Sequence, residues 1–148
     1  MFLALGWIGV VLAAAALADY AIALYPTAFS SMEWEFGTIS QIFAGLPLLS
    51  IGLAAVWVSA AGSGRRWLLV LIGVALLVAA ACVLAFLVLF ALDIPAAVRA
   101  TQGVARLGIE KLVAKTLIMG SLFGASYIVM GVLSLRQARG VLSREAVT

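Results

Sequence analysis

Few residues in this chain have side chains that could do chemistry, and the most conspicuous of them lies inside what reads as a membrane helix. Asp19 is the one acidic residue flanked on both sides by apolar helical sequence. An ionised side chain near mid-membrane costs at least about 2.5–3.5 kcal/mol on insertion scales, and less toward an interface. With the first helix running outward, Asp19 falls in the outer half of the bilayer, and Lys115, at the outer start of the fourth apolar run, reaches a similar depth. The expectation is an Asp19–Lys115 ion pair that fixes the helix arrangement, inside the bundle or at a subunit contact, with Lys111 the less favoured partner. A proton or ion relay is the more demanding alternative.

Other chemistries are excluded by residue type. Histidine is absent, which removes the commonest metal ligand, haem ligand and neutral-pH general base. The single cysteine, Cys82, sits amid apolar residues and cannot form an internal disulfide or a multi-thiolate site. The serines lack ionisable companions in sequence, and no glycine loop of the phosphate-cradling kind is present. Glu33 and Glu35 alternate around Trp34, but calcium typically wants about six to eight oxygen ligands, which this stretch does not supply. No catalysis, cofactor or metal is therefore expected. The net charge of +3 is small and scattered, so no nucleic-acid partner is expected either.

The elements that carry these residues follow from composition. Of 148 residues, 66% are apolar and 10% charged, against about 45–50% and 25% in ordinary soluble domains. The lipid bilayer is the expected partner. Uncharged runs cover Phe2 to Ala18, Phe36 to Gly64, Trp67 to Leu92 and Thr116 to Leu135, each near or above the roughly 20 residues that cross a bilayer core. The first run reaches Tyr25 if Asp19 is accepted inside the helix, and Pro26 then stops it. The chain thus reads as one all-α transmembrane domain over residues 1–148, a four-helix up-down-up-down bundle. Ala16-Leu17-Ala18 has the small-residue look of a signal cleavage site, but no Lys or Arg precedes the apolar region, so the first helix is expected to be retained.

Loop charge gives an orientation. Arg65 and Arg66 follow the second span, and Arg136, Arg139 and Arg144 follow the fourth, so these ends and both termini are expected to face the cytoplasm. Arg99, Arg106, Lys111 and Lys115 in the third connection make the tally five inside against four outside. Trp7, Trp57 and Trp67 mark the inner boundary, and Tyr20, Tyr25 and Trp34 the outer one. Tyr127 lies midway along the fourth span and needs a hydrogen-bond partner from a neighbouring helix or the backbone.

Two outer connections carry the remaining polarity. From Pro26 to Ser40 the sequence reads as loop and interface, with Trp34 an anchor and Glu33 and Glu35 a solvated rim or docking surface. Gly45 and Pro47 are expected to bend the second helix. Between Asp93 and Lys115, Arg99, Gln102, Arg106 and Glu110 form one polar helical stripe beside an apolar stripe of Val98, Ala105, Ile109 and Leu112. Asp93 and Pro95 resemble a helix start. This pattern predicts an amphipathic helix at the outer surface between the third and fourth spans, or an extension of the fourth span.

Helix packing has its own signature. Gly120 and Gly124 form a small-xxx-small pair, with Gly131 a heptad further on; Gly9 and Ala13 repeat the spacing in the first helix, and Gly73 and Ala79 to Ala81 supply small residues in the third. Such pairs serve packing within a bundle or against another subunit.

Three segments carry a resemblance: Glu33-Trp34-Glu35-Phe36-Gly37, Leu46-Pro47-Leu48 and Lys115-Thr116-Leu117. In these the sequence resembles small uncharacterised four-helix membrane proteins of bacteria, which implies a bacterial inner-membrane location and no activity. The small multidrug-resistance transporters share the four-helix plan and an acidic residue in the first helix, but Asp19 lies near the far end of that helix and the identity is not adopted.

The functional expectation is a non-catalytic accessory subunit of a larger integral-membrane assembly, such as an energy-converting complex, in contact with other membrane subunits or with further copies of itself. Trp34, Glu33, Glu35, Arg99, Arg106 and Trp67 are its anchors or docking residues. The alternative is a small oligomeric transporter or channel in which Asp19, Lys115, Gln41 and Tyr127 line a polar path.

Overall fold

The computed structural model describes residues 2–25, 27, 31–101 and 103–145, without the side chains of residues 32, 33, 104, 105 and 141–145. Glu33 and Arg144 therefore lie outside the described side chains, as Pro26 and Gln102 lie outside the described residues. Four helices account for nearly all of the described chain: α1 (Phe2–Ala23), α2 (Met32–Ser63), α3 (Arg66–Ala100) and α4 (Val104–Glu145). All four are long and apolar enough to cross a membrane. At 1.5 Å per residue, α3 and α4 extend about 52 and 63 Å, well beyond a hydrocarbon core of about 30 Å.

Helix boundaries are set by local chemistry. α2 begins at Met32, earlier than the expected loop allows, because Ser31 takes the N-cap position and its Oγ accepts from Trp34 N at 3.4 Å. It ends at Gly64, whose φ of 64° only glycine adopts cheaply and whose N–H bonds the Ala61 carbonyl. α2 runs on through Pro47 and α3 through Pro95, so Asp93 and Pro95 do not start a helix.

The separate amphipathic outer helix is corrected accordingly. α3 continues to Ala100, the chain reverses over Thr101 to Gly103, and α4 begins at Val104. Gly103 makes this reversal with φ 63°, and Thr101 Oγ1 bonds the Ala97 carbonyl at 2.9 Å. The apolar stripe packs in part: Ile109 and Leu112 lie against the core and Val98 is half-buried, while the side chain of Ala105 lies outside those described; beside the stripe Ala97 is buried, and Ile94 and Val113 lie against the core. A tight glycine turn lets α3 and α4 bury these groups on each other, so Arg99, Arg106 and Glu110 of the polar stripe are left exposed on a helical hairpin.

Successive helices run antiparallel. Phe2 lies by Gly62, Gly9 by Gly52 and Tyr20 by Gly45 along α1 and α2; Gly73 lies by Gly131 and Leu87 by Gly120 along α3 and α4. α2 and α4 run parallel, with Phe43 against Gly120 and Ser50 against Tyr127. The backbone of α1 approaches that of α2 alone. The core is therefore formed by α2, α3 and α4, around Phe36, Phe43, Leu46, Leu76, Phe90 and Tyr127, with α1 an outlying fourth rod.

Candidate interaction surfaces and intramembrane polar groups

Close helix approach is concentrated at glycines. A Cβ placed on Gly9 would stand 2.7 Å from the Gly52 carbonyl oxygen, and one on Gly52 the same distance from the backbone nitrogen of Ala13. On the other hairpin, a Cβ on Gly131 would meet Leu77 at 2.9 Å and the Gly73 carbonyl oxygen at 3.1 Å, and one on Gly120 would run into the Phe43 ring. Gly124 is looser, with its nearest neighbour, Leu84, at 3.4 Å. Gly9, Ala13, Gly120, Gly124 and Gly131 are thus all occupied by contacts within the chain.

Polar groups inside the helices are few and mostly closed. Tyr127, 1% exposed, shares a 2.7 Å hydrogen bond with Ser50 Oγ, which also donates to the Leu46 carbonyl at 2.8 Å. Tyr127 so finds on α2 the partner its depth requires. Ser134, fully buried, donates to the Leu69 carbonyl across the α3–α4 seam at 2.7 Å. The sequence reading missed both serine contacts as links between helices; a serine facing small residues on a packed helix is their only sequence signal. Two buried groups lack partners among the described residues, the Tyr20 hydroxyl and Trp57 Nε1.

The proposed Asp19–Lys115 pair is not formed within the chain. Both residues are exposed, and α1 does not approach α4. Two hairpins joined through α2 hold these side chains on different faces, and depth in the membrane, which sequence does indicate, says nothing of azimuth around the bundle. Lys115 instead lines a pocket of about 190 Å³ between α2 and α4 with Ser40, Gln41 and Thr116. Of the four residues suggested for a polar path, Gln41 and Lys115 share this pocket, while Asp19 and Tyr127 do not line it. The one ion pair among the described residues joins Arg106 Nε to Glu110 Oε1 at 3.0 Å on the exposed face of α4, a pairing of about 0.3–0.5 kcal/mol.

The predicted anchors are dispersed. Trp67 is exposed at the start of α3, and Arg99 is exposed near the C-terminal end of the same helix. Trp34 and Glu35 are half-buried in the first turn of α2. There they line a cavity of about 300 Å³ with Thr38, Phe86, Leu92 and Asp93. A second cavity of about 300 Å³ lies deeper along the same groove between α1, α2 and α3, walled by Tyr20, Phe43, Leu46, Ala79, Cys82 and Phe86. The groove exists because α1 leans on α2 alone and leaves the flank of α3 uncovered. The juxtaposition of Glu35 with Asp93 is invisible in sequence, where 57 positions separate them.

Of the four helices α1 is the least buried. Gly9 and Ala16 are its only buried residues, while Leu3, Ile8, Val11, Leu17 and Ile22 are exposed. No family model, curated protein or solved structure matches this chain.

Proposed function

We propose that this chain is a non-catalytic subunit of a larger integral-membrane assembly in a bacterial inner membrane, with four crossings and both termini in the cytoplasm. The observation that carries this reading is the packing of the interior. Phe43, Leu46, Leu76, Ala80 and Val83 fill the middle of the α2–α3–α4 core, and Ser50, Tyr127 and Ser134 beside them bond one another or the backbone. A solute path requires polar positions through its whole depth, and of Asp19, Gln41, Lys115 and Tyr127 only Gln41 and Lys115 share a pocket. What the chain offers in quantity is apolar helix surface, most of all on α1, which a neighbouring helix of another subunit would cover by van der Waals packing.

Photocrosslinking in native membranes tests this. A photoreactive residue at Val11 or Ile22, on the exposed face of α1, is expected to give a discrete adduct containing another polypeptide. The same residue at Leu133 on α4 samples a second face. Adducts with lipid alone from every exposed position overturn the reading.

A further inference from the structure

We infer that the groove between α1, α2 and α3 binds an amphiphile with an ammonium head and a single hydrocarbon tail, the head between Glu35 and Asp93 and the tail in the deeper chamber. Two chambers of about 300 Å³ each have Phe86 in their walls, and the proposed molecule passes that side chain to occupy both. The deeper one is bounded almost wholly by hydrocarbon, from Leu46, Leu49, Ala79 and Val83 among others. The other is lined by Glu35 of α2 and Asp93 of α3. Neither carboxylate has an ion-pair partner among the described residues, where Arg106–Glu110 is the one salt bridge.

A monovalent cation in a chamber lined by two acidic side chains is attracted by both. Trp34 and Phe86 line the same chamber, and aromatic faces add a favourable interaction for an ammonium group. The head carries no phosphate, because no Lys or Arg lines either chamber to receive one. The tail length follows from α3: Asp93 and Cys82 both line the groove and lie about 16 Å apart by helix rise, which suits a dodecyl chain. This site needs no partner subunit, so it stands or falls separately from the proposed assembly role.

The test is equilibrium binding of radiolabelled dodecylammonium to the full chain in phosphatidylcholine nanodiscs, with empty discs subtracted. The expected result is saturable binding of one molecule per chain, competed by unlabelled dodecylammonium and not by dodecanol or dodecyl sulfate. Glu35→Gln and Asp93→Asn should each weaken it at least tenfold. Both side chains are half-buried without ion-pair partners, and helicity by circular dichroism is expected to be unchanged. On the unaltered protein, octylammonium should bind more weakly than dodecylammonium, and Ala79→Phe, which fills the deeper chamber, should narrow that difference. Equal competition by dodecanol, carboxamide variants that bind as well as the parent, or no saturable component at all would overturn the inference.

Discussion

Ser50 on α2 and Tyr127 on α4 share a 2.7 Å hydrogen bond at the centre of the core, and the Ser50 hydroxyl also reaches the Leu46 carbonyl of its own helix. The two residues depend on the bond unequally. Ser50 keeps a partner if Tyr127 loses its hydroxyl; Tyr127, buried at 1% exposure, keeps none if Ser50 is truncated.

That asymmetry sets the first expected outcome. Tyr127→Phe should cost about 0.6 kcal/mol, the average for a hydrogen bond between membrane helices. Ser50→Ala should cost more, about 1–3 kcal/mol, since it strands a buried hydroxyl in hydrocarbon. Adding Tyr127→Phe to Ser50→Ala should recover part of that loss. Reversible unfolding in mixed micelles measures all three, and equal costs for the single changes would show that the bond is not formed.

Glycine substitutions separate contact from propensity. Gly131→Ala should destabilise by about 1–3 kcal/mol, the usual cost of overpacking, because its Cβ meets Leu77 and the Gly73 backbone at about 3 Å. Gly124→Ala, with its nearest neighbour at 3.4 Å, should be close to neutral. Gly108→Ala, with nothing within 4 Å, should stabilise by about 0.5–1 kcal/mol through helix propensity. Ranking the three by thermal unfolding in one detergent checks the α3–α4 register, and a harmless Gly131→Ala contradicts it.

Much of the architecture is legible in the sequence because hydrocarbon imposes a length and a polarity on every crossing. The four apolar runs fall within the four helices except for Gly64, which caps α2 and with Arg65 forms the turn to α3. What sequence does not carry is which faces meet. Asp19 and Lys115 match in depth and in charge but sit on helices that do not touch. The outer polar stripe has a helical period whether it lies on a membrane or crowns a hairpin; Gly103, at φ 63°, decides for the hairpin. The groove mouth at Glu35 and Asp93 arises from three-helix geometry that no local pattern encodes.

Asp19 and Lys115 should behave independently. In a double-mutant cycle, Asp19→Asn and Lys115→Met are expected to add within about 0.5 kcal/mol, as distant sites do. Coupling well above that in the monomeric protein would restore the ion pair; coupling that appears only at high protein concentration would place it between chains.

The surface pair on α4 should matter little. Arg106→Ala removes an exposed bond to Glu110 and is expected to change stability by less than about 0.5 kcal/mol, with the small effect vanishing in high salt. A loss of several times that size, followed by unfolding in detergent, would show that the outer hairpin is held by charge and not by its packed apolar stripe.

The role as a packing subunit is tested most directly by extracting the chain from its native membrane in a mild detergent and weighing the intact particle by mass spectrometry. The result expected is a defined complex that contains at least one other membrane polypeptide in fixed ratio. A homogeneous species made of this chain alone, which after reconstitution carries a solute flux abolished by Asp19→Asn, would contradict it.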